Sequence, residues 1–176
     1  MEIPKSVVDK MKAGDIIQIH REDSGPFWGF FYWEHTLMYI GNDTMIHAGA
    51  PVKTANIYEY FSNNVKITNY VILRPNGITQ AQKDSAVNFV KNQIGKPYEL
   101  WSLFRFTKQV NPEPDNLGYG YYCTELVWAA YFQAGLDLEI AQIGLVNPME
   151  IYMSRKLDII HIISRLKVRF PWYRYY

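Results

Sequence analysis

The order of apolar and polar residues along the chain predicts a mixture of strands and helices. Apolar runs of strand length occur at residues 16–20, 67–74 and 157–163. Apolar residues at helical spacing occur at 79–94 and 123–134, and a short helix is predicted at 148–154 after Asn147 and Pro148. The predicted fold class is therefore α+β, with a small antiparallel sheet packed against the helix that starts at residue 123.

That helix begins with the single cysteine of the chain, Cys123. Gly135 marks its expected end, and the apolar residues between them form one stripe: Leu126, Val127, Ala130, Tyr131 and Ala134. A thiol in the first turn feels the partial positive charge of unpaired N–H groups, which favours the thiolate. Cys123 could equally well be a small apolar residue buried in the core.

Two histidines bracket a predicted β-hairpin around the turn at residues 41–43. His35 opens the first strand and His47 closes the second. If Ile40 pairs with Thr44 across a three-residue loop, the two imidazoles are diagonal neighbours on one face. A loop of two or four residues would turn His47 to the other face. The pairing of the histidines therefore depends on the register of the hairpin.

Length and composition restrict the class of protein. The 176 residues suit one domain spanning 1–176, and 48% apolar with 20% charged residues indicates a globular chain. A net charge of +1 does not favour nucleic acid as a partner. One cysteine excludes an internal disulfide framework and fits a reducing compartment. Because neither a signal peptide nor a membrane span is visible, a cytoplasmic location is expected.

Aromatic residues make up 16% of the chain and are candidates for a substrate pocket. Segments 27–33 and 101–106 fit either the lining of an apolar acyl pocket or core packing. Trp33, Trp101 and Tyr122 are the residues we assign to substrate binding. The tail at 167–176 mixes arginine with aromatic residues, which fits a transient contact with a membrane surface or a strand that closes the sheet. We favour the strand.

Three motifs together resemble one family. The segment from His35 to His47, the nucleophile-helix segment Tyr122-Cys123-Thr124-Glu125 and the turn Gly95-Lys96-Pro97-Tyr98 resemble the NlpC-like, papain-fold cysteine hydrolases. In most members the cysteine helix precedes the histidine hairpin, whereas here it follows. This order resembles the circularly permuted branch, which includes YiiX-like bacterial proteins and lecithin:retinol acyltransferase-like enzymes. The resemblance covers residues 14–163.

The resemblance implies a thiol hydrolase or acyltransferase that cleaves an amide or ester bond through an acyl-cysteine intermediate. Cys123 is then the nucleophile, His35 the base and later the acid, and His47 the residue that orients His35. Tyr98 and the N–H of Cys123 would stabilise the oxyanion. The expected substrates are small molecules, lipids or peptides, with no cofactor and no metal.

Two acidic residues lie beside these positions. Glu125, in the first turn of the Cys123 helix, is interpreted as a capping residue. Glu34 precedes His35 and is expected to point to the opposite face of the strand, so it is not counted in the triad.

Two other functions compete with the enzyme. A catalytically silent binding module on the same fold is the principal alternative, and the presence of Cys123, His35, His47 and Tyr98 argues against it. A zinc site formed by Cys123 and the two histidines lacks the clustered spacing typical of such ligands. The sequence leaves open the acceptor, the oligomeric state and the choice among amide, ester and thioester.

Overall fold

The computed structural model of the protein describes residues 1–22, 32–63, 66–99, 120–140 and 146–164. Its strands are β1 (Ile16–Arg21), β2 (His35–Gly41), β3 (Thr44–Ala48), β4 (Val52–Asn56), β5 (Ile67–Pro75) and β6 (Leu157–Ile163). Its helices within the described ranges are α1 (Lys5–Val8), α2 (Ile57–Asn63), α3 (Gln80–Asn92), α4 (Cys123–Gln133) and α5 (Pro148–Met153). Phe27, Trp101 and the tail at 167–176 lie outside the described residues.

The strands form one antiparallel sheet of six strands in the order β4-β3-β2-β1-β5-β6. The predicted α+β class is thereby confirmed, although the sheet is larger than expected. Its extra strand, β4, falls in a segment whose polar residues gave no clear alternation. β4 carries one fully buried side chain, Val52, and the others are partly or fully exposed.

Both faces of the sheet are buried, and different helices cover them. Ile16 and Met38 face a core that includes residues of α3, α4 and α5. Ile17 and Leu37, one position along each strand, belong instead to a second core with residues of α1 and α2. Because successive side chains of a strand point to opposite faces, the sheet is the middle layer of three.

The hairpin of β2 and β3 reaches the predicted register by a different route. Met38 pairs with Ile46 and Tyr39 with Met45, which continues the register that a pair of Ile40 with Thr44 would set. The turn itself, however, has two residues, because Gly41 pairs with Thr44. A bulge between Tyr39 and Gly41 inserts the extra residue and keeps His47 on the face of His35.

Helix α4 is buried on every side rather than along one stripe. The predicted stripe is buried, but so are Thr124, Glu125, Trp128 and Ala129 on the remaining faces. A helix enclosed in this way belongs to the centre of a domain. The helix packs on β2 and β3 and also contacts α3 and α5. The amphipathic interpretation was therefore too narrow, whereas Gly135 follows the end of the helix with a φ of 86° as expected.

The predicted ends of the other helices agree with the structure. Thr79 caps α3 together with Gln82, and Asn147 caps α5 with Pro148 at its first position. The side-chain amide of Gln18 in β1 donates to the carbonyl of Pro148 at 2.7 Å and joins the start of α5 to the sheet. Among the described residues, no helix is long and apolar enough to cross a membrane.

Candidate active site

The start of α4 places Cys123 as the first residue of a buried helix. Tyr122 precedes it in an extended conformation, and its N–H donates to the Glu125 carboxylate at 3.4 Å. Glu125 is fully buried. It therefore acts as the capping residue that the sequence predicted, and it fixes the position from which the cysteine side chain leaves the helix.

The Cys123 sulfur lies against the first residues of β2. It is 3.9 Å from the Glu34 carbonyl and 3.8 Å from the Thr124 hydroxyl, and it accepts a hydrogen bond from the N–H of Thr36. Glu34 and Thr36 are the chain neighbours of His35. The nucleophile candidate therefore contacts the backbone on both sides of the candidate base.

The end of a strand ladder makes room for this sulfur. The pairing of β2 with β3 stops at Met38 and Ile46, so Thr36 lies beyond the last paired residue. The hydroxyl of Thr36 approaches that of Thr124 at 3.3 Å and ties this strand end to α4. At this position the N–H of Thr36 hydrogen-bonds the cysteine rather than a neighbouring strand.

The two hairpin histidines are in direct contact. Nε2 of His35 and Nδ1 of His47 are 2.9 Å apart, with the rings nearly perpendicular at 85°. The predicted approach of the two imidazoles is confirmed. Nε2 of His35 is engaged by His47, and Nδ1 is the ring nitrogen that this contact leaves open. The ring of Tyr60 from α2 packs edge-on against His47, with centroids 5.3 Å apart.

Burial favours a neutral cysteine and neutral histidines. It raises the pKa of the Cys123 thiol, against the opposing hydrogen bonds from Thr36 and Thr124. It also lowers the pKa of His35 well below its ordinary value, and the charges of His47 and Arg21 lower it further. Burial and then the charge of Lys53 lower the pKa of His47 to about 4. The thiolate favoured by the helix position is therefore not supported for the resting site, where desolvation outweighs the helix charge.

Tyr98 reaches the sulfur from a separate part of the chain. Its hydroxyl hydrogen-bonds Cys123, and burial, together with that neighbour, raises the pKa of the phenol above its ordinary value. Two backbone hydrogen bonds with Tyr121 hold this segment in place, one through the Pro97 carbonyl and one through the N–H of Glu99. A Cβ on Gly120 would lie 2.0 Å from the Pro97 carbonyl oxygen, so only glycine permits this approach.

A cleft of about 370 Å³ opens beside these groups. His35, His47, Tyr60 and Tyr98 line it, and so do Arg21, Glu34 and residues 48–50. Arg21 and Glu34 were not among the predicted site residues. Glu34 also lines this cleft, but its side chain lies 2.9 Å from His20, which follows Ile19, the partner of His35 across the sheet. This cross-strand contact agrees with the expectation that the Glu34 side chain points to the face opposite His35.

The residues assigned to substrate binding lie elsewhere. Trp33 is fully buried, with its ring 5.4 Å from that of Tyr152 in the core beneath α5. Tyr122 is 3% exposed, and its hydroxyl accepts the N–H of Val146. Both side chains are packed in the core, and their assignment to substrate binding stays a prediction. The position of Trp101 lies outside the described ranges.

A family model described as a permuted papain-like amidase enzyme, YaeF/YiiX, C92 family, matches residues 10–153. The chain belongs to this family. The resemblance drawn from the three motifs is thereby confirmed, and the family supports a hydrolase function of the papain-like kind. No curated protein matches the sequence.

The fold is also that of a solved family structure. The crystal structure of the metalloprotein yiiX from Escherichia coli O157:H7 aligns with a TM-score of 0.61 at 20% identity, covering 87% of this chain and 96% of that one. In the described part of the present chain, no group of three or more histidine, cysteine, aspartate or glutamate residues is arranged to hold a metal ion.

Proposed function

We propose that the protein is a cysteine hydrolase that cleaves an amide bond through an acyl-cysteine intermediate. The observation that carries this proposal is the position of the Cys123 sulfur, which lies against the backbone on both sides of His35 while His35 contacts His47. The hairpin carries the base, His35, and the residue that orients it, His47. The nucleophile, Cys123, lies at the open end of this hairpin.

The neutral resting site determines the order of proton transfers. As the sulfur attacks the substrate carbonyl carbon, Nδ1 of His35 takes the thiol proton, and a sulfur–carbon bond forms. Nε2–H of the resulting imidazolium donates to Nδ1 of His47, which stabilises the positive charge. His35 then gives the proton to the leaving nitrogen as the carbon–nitrogen bond breaks. In the second half water attacks the acyl carbon while His35 takes its proton, the carbon–sulfur bond breaks, and His35 returns the proton to the leaving sulfur as the acid product departs.

The negative charge that develops on the substrate oxygen needs donors in place beforehand. The Tyr98 hydroxyl contacts the sulfur and is therefore close to any carbonyl bonded to it. Its raised pKa keeps the hydroxyl proton available for donation. The N–H of Cys123, at the unpaired start of α4, is the second donor. One such donor lowers the barrier by about 3 kcal/mol.

The substrate class is proposed more broadly than the reaction. N-acyl amino acids, lipid esters and cell-wall peptides all contain a carbonyl suited to attack by a thiol. Transfer of the acyl group to an amine in place of water uses the same residues. A transient contact with a membrane surface is compatible with a lipid substrate.

The test is the release of product from a panel of these donors by the purified protein. Amine release from N-acyl amino acids and muropeptides, and alcohol release from lipid esters, are measured with the wild type and with Cys123→Ala. Wild-type turnover of at least one amide that is abolished in Cys123→Ala supports the proposal. Binding of the panel compounds without any turnover contradicts the proposal and supports the silent binding module.

A further inference from the structure

A guanidinium group lies beside the catalytic candidates and is not explained by the proposed mechanism. Arg21 ends β1, directly after a shift in its register with β5, and its side chain lines the same cleft as His35 and Tyr98. That side chain is 41% exposed. Its charge acts on both His35 and Tyr60, which places it near two walls of the cleft.

Glu34 is paired with this arginine. The Glu34 side chain is only 2% exposed, and one of its oxygens lies 3.7 Å from Nε of Arg21 and 3.3 Å from the N–H of the same residue. Its other oxygen lies 2.9 Å from Nδ1 of His20. The stem of Arg21 is therefore anchored by a buried carboxylate, and an anchored guanidinium needs less ordering when it binds a ligand.

We propose that Arg21 binds an anionic group of the substrate, a carboxylate or a phosphate, in the cleft beside Cys123. This inference rests on the proposed function, because it makes Arg21 a specificity residue of the same cleft. A guanidinium offers paired N–H donors that match the oxygens of either anion. We therefore expect the preferred substrate to carry a negative charge near its scissile bond.

The alternative explanation is that Arg21 only neutralises Glu34. A buried carboxylate requires a partner, and His20 already provides one at 2.9 Å. A purely structural Arg21 would leave the reactivity of the cleft indifferent to the charge of an incoming molecule. The two explanations therefore differ in a property that can be measured without a known substrate.

Two alkylating reagents of nearly equal size test this difference. Iodoacetate is an anion and iodoacetamide is neutral, and with both the cysteine sulfur forms a bond to carbon as iodide leaves with its electron pair. Rates of Cys123 labelling are measured at pH 8 by intact mass, as the ratio of iodoacetate to iodoacetamide, and divided by the same ratio for reduced glutathione. We expect a normalised ratio of at least ten for the wild type.

Three variants identify the source of this preference. Arg21→Gln should lower the ratio at least fivefold, whereas Arg21→Lys should keep part of it. Lys53→Gln removes the charge that lowers the pKa of His47, and Lys91→Gln removes an exposed charge on α3. Both of these should leave the ratio within twofold of the wild type. Because Arg21 is partly exposed, its variants are expected to fold.

The outcomes separate this inference from the proposed function. Rapid labelling with an equal ratio in the wild type and in Arg21→Gln overturns the anion site and leaves the nucleophile intact. A ratio that falls in Lys53→Gln instead of Arg21→Gln also overturns it. Failure of both reagents to label Cys123 in the folded protein contradicts the proposed function and removes the anion site with it.

The kind of anion is resolved by protection. N-Acetylglycine, N-acetylglycinamide and glycerol phosphate are added separately before iodoacetamide. Protection by N-acetylglycine but not by its amide indicates a carboxylate, and protection by glycerol phosphate alone indicates a phosphate headgroup. Protection by the neutral amide that equals that of both anions overturns the proposal.

Discussion

The candidate site has two halves, and the chain builds them in different ways. The histidine half comes from one hairpin, in which His35 and His47 are twelve residues apart in sequence and 2.9 Å apart in space. In the sulfur half, Tyr98 pairs with Tyr121, two residues before Cys123, and its hydroxyl contacts the Cys123 sulfur. The first half depends on a local register, whereas the second depends on the close approach of two distant backbones.

This difference determines which backbone positions each half depends on. In the hairpin, three residues with positive φ (Gly41, Asn42 and Asp43) and one bulge set the positions of both imidazoles. In the sulfur half, Gly120 provides the space, because any Cβ there would meet the Pro97 carbonyl. Substitutions at these backbone positions test how each half is built without changing a catalytic side chain.

The largest effect is expected in the sulfur half. Tyr98→Phe should slow turnover of p-nitrophenyl acetate, or of a donor from the panel, by about a hundredfold, equivalent to about 3 kcal/mol, because an oxyanion donor is lost. Gly120→Ala should cause a similar loss by displacing Tyr98, and in addition should lower the thermal midpoint. The double variant should be no slower than Gly120→Ala alone. A folded Gly120→Ala protein with wild-type turnover would refute this role of the glycine.

The histidine half should make stability depend on pH. His47 has a folded pKa of about 4, below its ordinary 6.5, so the unfolded chain binds more protons between these values. The contribution of neutral His47 to the free energy of unfolding is therefore fully present above pH 6.5 and is lost as the pH falls toward 4. The loss from His47 is about 3 kcal/mol, and urea unfolding at pH 7.5, 6 and 4.5 measures it.

His47→Asn should flatten this dependence. His161, whose pKa is also lowered by burial but which lies at the partly exposed end of β6, provides the control, and His161→Asn should change the slope less. An identical slope in His47→Asn and the wild type would show that His47 is not buried in its neutral form.

The resting protonation state gives the next prediction. Since burial raises the pKa of Cys123 and lowers that of His35, alkylation by iodoacetamide should show its inflection at or above the ordinary thiol value of about 8.5. His35→Ala should leave this inflection within half a pH unit while it slows turnover. An inflection below pH 7 that disappears in His35→Ala would demonstrate a resting ion pair instead.

The smallest effect concerns the hairpin turn. Asn42 and Asp43 have φ of 51° and 56°, the left-handed region that suits asparagine followed by glycine in a two-residue turn. Asp43→Gly should therefore stabilise the protein by about 0.5 kcal/mol, and Asp43→Val should destabilise it by about 1–2 kcal/mol. Thermal unfolding measures both, and a neutral Asp43→Val would contradict the turn.

The two halves also differ in how far the sequence could predict them. The spacing of His35 and His47 and the turn residues predicted their contact, because a hairpin register is a local property. The bulge at Ile40 carried no signal, since Ile40 fits an ordinary strand. The buried faces of α4 were also missed, because they result from packing against other helices rather than from the period of the helix itself.

Residues assembled by long-range contacts were the least predictable. Arg21 ends a strand that is recognisable in the sequence, but nothing local indicates that it reaches the cleft of His35. Gly120 reads as part of an irregular loop, and only the approach of Pro97 explains it. Tyr98 was assigned to the site through the family resemblance alone. Its contact with Cys123 depends on the close approach of the Gly120 and Pro97 segments.

Formation of an acyl-Cys123 intermediate is tested most directly by the intact mass of the protein quenched in acid during turnover. With p-nitrophenyl acetate or an amide donor from the panel, we expect a single added acyl mass that maps to Cys123. The adduct should be absent in Cys123→Ala, and it should form at least a hundredfold more slowly in His35→Ala. Turnover that persists in Cys123→Ala, or an acyl group that maps to another residue, would exclude Cys123 as the nucleophile.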